Sequence, residues 1–258
     1  MDNFLIQDLR FIVISITTGV LVVLTIFWFL DRSPFSSWFK KSEGIVASFI
    51  SVPAFLFGLV ISTFATGVWN NHVAANSSLI NEATAIRTLM RISQTLQTQD
   101  AQELKSATNN YVTFIVDTEW PSMANGNRES NEDSLIQLEI LTNQINVIAN
   151  TLNQSSSVVH RLYSSIDSLH HERLVRLSLA YDRISFVRWP SIYALAFLLL
   201  FTVGLLQLRS PRAMKITLTM GALCIGSSMI FLFLNTSPYH GPTSIKPTLL
   251  IDSTKLSK

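Results

Sequence analysis

The apolar positions of this chain follow two patterns. In four stretches they run on without a charge, and between the second and third stretches they recur every three or four residues. Phe11–Leu30 is twenty residues without Asp, Glu, Lys or Arg. At about 1.5 Å rise per residue that suffices to cross a hydrocarbon core of about 30 Å. Gly44–Asn70, Ser191–Leu208 and Ile216–Leu234 have the same character, so the pattern predicts four transmembrane helices in two pairs. The first is read as a span and not a signal peptide, because no basic run precedes it and no small-residue cleavage site follows.

The middle of the chain reads as amphipathic helices. From Asn81 to Met123, Ala83, Ile86, Leu89 and Met90, then Leu104, Tyr111 and Ile115, keep helical spacing. Asp100 followed by Glu103 has the form of a capping box, and Pro121 disfavours helical geometry at Trp120. The expectation is a helix, a tight reversal near Gln97–Asp100, and a returning helix that stops at Glu119-Trp120-Pro121. A further helix starts at Ser130, with Leu135, Leu138, Leu141, Ile145, Ile148 and Leu152 stepping by three and four. Ser155–Ser157 interrupts it, and the pattern resumes at Val159 and continues to about Val187. No stretch reads as a strand, and the helices should form an antiparallel bundle.

Within the second span, Ala54, Gly58, Ser62 and Thr66 recur every fourth residue. Small side chains on one face let another helix approach closely, and the same face with its hydroxyls would suit a pore wall. Pro53 should kink this span and free a carbonyl. Pro190 should open the third span at its first helical position, with Trp189 and Tyr193 at the membrane boundary. The tail from Asn235, with Pro238, Gly241 and Pro247, suits an ordered loop.

Charge refines this picture. The formal net charge is +2, but residues 72–189 carry 9 Lys/Arg against 12 Asp/Glu, and the rest of the chain carries 10 against 5. No soluble segment gathers the basic residues, which excludes a nucleic-acid-binding profile. The two short loops inside the span pairs hold three Lys/Arg each (Arg32, Lys40, Lys41; Arg209, Arg212, Lys215), and short basic loops stay cytoplasmic. That rule puts both termini and the central bundle on the extracytoplasmic side of the cell (inner) membrane. A basic approach to the third span (Arg173, Arg176, Arg183, Arg188) argues the other way. The single cysteine, Cys224, excludes an intrachain disulfide.

Candidate chemistry is sparse. The sequence has no G-x-x-x-x-G-K-S/T, G-x-S-x-G or H-E-x-x-H, and no Cys/His cluster. His170-His171-Glu172 reads as a solvated helix face, since adjacent helical residues point about 100° apart and do not chelate one ion. His72, one turn past Trp69, reads as interfacial. Glu82 and Glu119 each lie beside apolar residues at a helix end. They either pair with arginines such as Arg87, Arg91, Arg173 or Arg176, or line an ion path or ligand cleft.

Glu82-Ala83, then Ile86, Leu89 and Arg91, Tyr111, Glu119-Trp120-Pro121 with Met123 and Gly126, and Pro238-x-x-Gly241 with Ile245 together resemble the bacterial bestrophin-like domain family. The resemblance covers nearly the whole chain and is most specific at Glu-Trp-Pro. It implies a membrane protein with two spans on each side of a helical region, and a distant relation to bestrophins, which are pentameric anion channels with α-helical protomers. It also implies a cytoplasmic helical domain, opposite to the charge rule.

The sequence thus predicts an all-α membrane protein with four transmembrane helices (2+2) flanking a central antiparallel helical bundle. The expected divisions are residues 1–71 and 190–234 for the span pairs, 72–189 for the bundle and 235–258 for the tail. The expected function is an oligomeric bestrophin-like ion (anion) channel. The alternative is a non-conducting membrane sensor or scaffold whose helical domain binds a partner or ligand. Its partners would be the lipid bilayer, further copies of itself and small ions. Neither enzymatic activity nor a cofactor or metal is expected.

Overall fold

The computed structural model describes residues 2–41, 47–126, 130–152, 157–181, 184–241 and 243–255. Among them the chain is helical throughout its regular structure, with no strand. The long helices are α1 (Asp2–Asp31), followed by the short α2 (Ser36–Lys41), α3 (Ser51–Ser93), α4 (Thr98–Phe114), the short α5 (Trp120–Ala124), α6 (Ser130–Thr151), α7 (Ser157–Ala180), α8 (Ile184–Leu206) and α9 (Pro211–Leu234), with α10 (Thr248–Thr254) in the tail. Four of them are long and apolar enough to cross a membrane: α1, α3, α8 and α9.

The chain forms two compact units, Met1–Trp69 with Arg183–Thr236, and Asn70–Asp182 with Ser237–Lys258. Helix α3, 43 residues long, contributes its charge-free half to the first unit and its polar half to the second. In the first unit α1 packs against α8 and α9, and α8 against α9. Ile26, Leu30, Ile192, Ala196, Leu200, Met214 and Leu218 form its core with Phe57, Phe64 and Val68 of α3. Gly204 lets α8 come close to α1: a Cβ there would lie 2.6 Å from Leu30 Cδ1. Phe64 meets the Trp189 ring edge-on at 5.3 Å.

In the second unit the polar half of α3 reverses at Gln94–Gln97 into α4. Helix α6 packs on α4 and α7, and α3 bonds to α7 and α4 through side chains. Ile86, Leu89, Leu104, Tyr111, Ile115, Leu138, Leu141, Ile145, Leu162 and Leu169 fill the core, the positions that the helical periodicity marks as inward.

Several local expectations are corrected. Pro121 does not stop the returning helix. Ile115–Glu119 forms a π-helical turn, Trp120 keeps helical angles (φ −62°, ψ −48°), and its N–H bonds to the carbonyl of Ile115. The wider turn moves aside the carbonyl that the proline ring would strike four residues back. Helix α4 starts at Thr98 without a side-chain cap; Glu103 accepts from Gln99 Nε2 (3.2 Å) and from Gln144 Nε2 instead of closing a capping box. Pro53 lies in the first turn of α3, after a 3-10 turn at Ala47–Ile50. There the missing N–H has no intrahelical partner to lose, so no carbonyl is freed mid-span. Pro190 lies inside α8, which begins at Ile184. The tail is a loop only as far as Pro247, after which α10 packs on α4; buried Leu250 supplies the apolar anchor that its few polar neighbours mask in the sequence.

Candidate functional site

The second unit encloses a charged cluster. Glu82 on α3 and Glu119 in the π turn have 0% exposure, and Arg173 and Arg176 on α7 have 4% and 1%. Arg176 bridges the carboxylates: Nη1 donates to Glu82 Oε2 at 2.7 Å, and Nη2 donates to Glu119 Oε1. Arg173 Nε donates to Glu119 Oε2 at 3.2 Å, and Arg173 Nη2 donates to Ser134 Oγ on α6. Tyr111 O–H on α4 donates to Glu82 Oε1 at 3.0 Å. Two carboxylates face two guanidinium groups, so the cluster is neutral as a whole, the condition under which buried charge is tolerated.

The π turn explains why Glu119 reaches this place. By widening the helix one residue before Trp120, it aims Glu119 and Trp120 into the bundle together, and both are buried. Trp120 then stacks beneath the Arg176 guanidinium, with Cζ 5.4 Å from the ring centroid. The indole N–H donates to the Ile245 carbonyl at 3.2 Å, and the Tyr239 ring meets the indole edge-on at 5.5 Å. The Pro238-x-x-Gly241 turn supports this contact. Gly241 adopts φ 91°, a region that favours glycine, and the Ile245 N–H returns to the Pro238 carbonyl at 2.9 Å. The carbonyl of Ile245 is thereby presented to the indole.

Burial governs the protonation of this cluster. Desolvation raises the Glu82 carboxyl, with Arg176 opposing and Glu119 reinforcing the shift. Burial also raises the Tyr111 hydroxyl, and neighbouring Glu82 adds to it. At Arg176 desolvation works downward, but Glu82 and Glu119 together hold the guanidinium above its ordinary value.

Of the sequence-marked residues, Glu82, Tyr111, Glu119, Trp120, Pro238 and Gly241 thus converge. Ala83 is buried beside them in the core. Arg91 does not join: it is exposed in the last turn of α3. Pro121 is exposed. Glu172 departs from the expected solvated face: it is buried and accepts from Asn81 Nδ2 at 2.9 Å, while His170 Nε2 lies 3.2 Å from Thr142 Oγ1. Among the described residues, no group of three His, Cys, Asp or Glu is placed to hold a metal ion. Ala54, Gly58, Ser62 and Thr66 are all exposed in the protomer, and a Cβ on Gly58 would meet nothing within 4 Å. The periodicity did not mark Ser134 or Tyr239, whose partners lie far away in sequence.

These features define an all-helical, multi-span membrane protein. The bestrophin-like domain model matches residues 18–250, and the chain belongs to that family. Its fold is similar to crystal structures of variants of a bacterial bestrophin homologue from Klebsiella pneumoniae. One has a TM-score of 0.67 at 9% identity, covering 97% of each chain; another has 0.68 at 11% identity, covering 95% of this chain and 97% of that one. A crystal structure described as a membrane protein variant gives 0.69 at 12% identity, covering 93% of this chain and 99% of that one. No curated protein matches the sequence.

Proposed function

We propose that the chain assembles into a homo-oligomeric, bestrophin-like channel that conducts small anions. The observation that carries this reading is the uncovered face of the second span. Ala54, Gly58, Ser62 and Thr66 line one side of α3, and none of the described residues of the protomer covers them. The Thr66 hydroxyl on this face donates to the Ser62 carbonyl of its own helix at 3.0 Å, so it needs no partner from a neighbouring helix. Copies of α3 meeting through small residues would build the wall of a membrane path, with the helical unit as a vestibule. Family membership and full-length fold likeness support the assignment, and it makes the protein a conduit and not an enzyme. The charge rule supports an extracytoplasmic helical unit.

The test is anion efflux from liposomes carrying the purified protein, against empty liposomes. Faster chloride release that scales with protein content supports the proposal. A folded oligomer that releases no faster than empty vesicles sinks it and favours the scaffold reading.

A further inference from the structure

Helices α3 and α7 border an open groove of about 380 Å³ on the helical unit. On α7, Arg161, Ser164, Ser168 and Glu172 line it, stepping by three and four, so they share one helix face. Asn81, Thr84 and Thr88 do the same on α3, and Ala85 is the one apolar residue of the described lining. Asn81 meets Glu172 at one end, and the two stripes run from there to Arg161 at the other.

The Glu172 end holds a buried carboxylate without a cation. Glu172 is 9% exposed, yet it lines the groove. Asn81 Nδ2 donates to its Oε1 at 2.9 Å. Among the described residues no donor reaches Oε2, and no Lys, Arg or His forms an ion pair with either oxygen. The other two buried acids, Glu82 and Glu119, are each held by a guanidinium. Buried charges are ordinarily paired in this way, so Glu172 lacks one positive partner. One turn away, Ser168 presents a hydroxyl that makes no hydrogen bond among the described residues, and Ser164 presents another. Ser165 and Ser178 on the same helix instead donate to carbonyls of that helix. At the far end Arg161 is exposed, and its guanidinium pairs with no described carboxylate.

This donor set selects a ligand by its chemistry. A calcium ion would need six to eight oxygens, and Glu172 is the one acid in the lining. A primary ammonium needs only three acceptors, which the Glu172 carboxylate, the Ser168 hydroxyl and the Asn81 amide oxygen supply. A polyamine would bring a second cation toward Arg161 and be repelled. A phosphoethanolamine group has its two charges only two carbons apart, too close for this site. Arg161 and Glu172 lie eleven positions apart on α7, about 16 Å at 1.5 Å per residue. Three or four extended residues span roughly 10–14 Å, and the two side chains cover the remainder.

We propose that the groove between α3 and α7 binds a short extended peptide, its α-ammonium on Glu172 and its carboxylate on Arg161. The serine and threonine hydroxyls between them face the peptide backbone, and the small lining residues leave room for it. This goes beyond the channel reading and does not rest on it.

The experiment is isothermal titration of the full-length protein in nanodiscs with trialanine, N-acetyl-trialanine and trialanine amide. Trialanine should bind saturably at one per chain. The acetylated peptide, which lacks the ammonium, should not bind, and the amide, which lacks the carboxylate, should bind about tenfold more weakly. Glu172→Gln should abolish binding while oligomer size and helicity stay unchanged. Arg161→Gln, at an exposed position, should weaken trialanine about tenfold and leave the amide unaffected. The acetylated peptide tests the ammonium site on the wild-type protein, so the proposal stays open to refutation even if Glu172→Gln fails to fold. No saturable heat at millimolar trialanine would overturn it, as would equal binding of the acetylated peptide or tighter binding of spermidine. None of these results depends on ion flux, so failure here leaves the channel reading untouched.

Discussion

Replacing Arg176 with Met probes the charged cluster most sharply, because this one side chain contacts both carboxylates. Methionine keeps much of the stem's volume and removes the guanidinium. Glu82 then retains only the Tyr111 hydroxyl, Glu119 retains only Arg173, and the buried site carries one uncompensated negative charge. Breaking a buried pair by removing one partner costs about 3–5 kcal/mol. At about 2–4 °C per kcal/mol, the melting temperature should fall by roughly 6–20 °C near neutral pH. The loss should depend on pH in a defined direction. Burial already raises the Glu82 carboxyl, and Arg176 is the main group holding it down, so the variant raises it further. A carboxyl whose folded-state pKa exceeds its unfolded value binds protons more tightly when folded. Stability is then greatest below the unfolded value, 4.5 for Glu82, and falls as pH rises through the folded value. The wild-type-to-variant gap should therefore be small near pH 4 and wide near pH 8. Thermal unfolding in detergent, followed by tryptophan fluorescence across that range, measures it. An equal gap at all pH values, or none at pH 8, would refute the reasoning.

Three further outcomes follow from the same structure. Trp120, 6% exposed, is wedged between Arg176 and the tail, so Trp120→Ala should cost about 3–5 kcal/mol and free the tail to proteolysis; unchanged melting and an intact tail would show that the ring does not clamp it. Gly58→Leu should abolish assembly if the small-residue face packs between subunits, whereas an intact oligomer with lost flux would make that face a pore wall. Asn150→Cys in the Cys224→Ala background should react with a membrane-impermeant maleimide on intact cells, as the charge rule requires; labelling only after lysis would put the helical unit in the cytoplasm.

How far the sequence carried the account depends on the range of each interaction. The spans and the inward rows of the bundle were legible, because charge-free length and a period of three to four are local properties. Glu82 and Glu119 were legible as acids that either pair with arginines, Arg173 and Arg176 among the candidates, or line an ion path or cleft; the structure shows the pairing. What chose Arg176 over Arg87 was the packing of α7 on α3 and α5, which no local pattern encodes. The proline expectations failed for a related reason. Pro121 and Pro190 were read against ideal α-helical geometry, but a π turn accommodates the first and a long span encloses the second. Trp120 and Ile245 are bonded across 125 positions, so the clamp on the tail was invisible until the chain was folded. The small-residue face of α3 was legible as a face, and its uncovered state became visible only in the protomer.

The central claim is that copies of this chain together form an anion path. The most direct test is current across a planar bilayer containing the purified protein, with a tenfold chloride gradient against an impermeant organic anion and equal sodium on both sides. The account predicts discrete protein-dependent currents reversing near the chloride equilibrium potential, about 59 mV in magnitude for a tenfold ratio of a singly charged species. Silence from a verified oligomer, or reversal near zero, would contradict it.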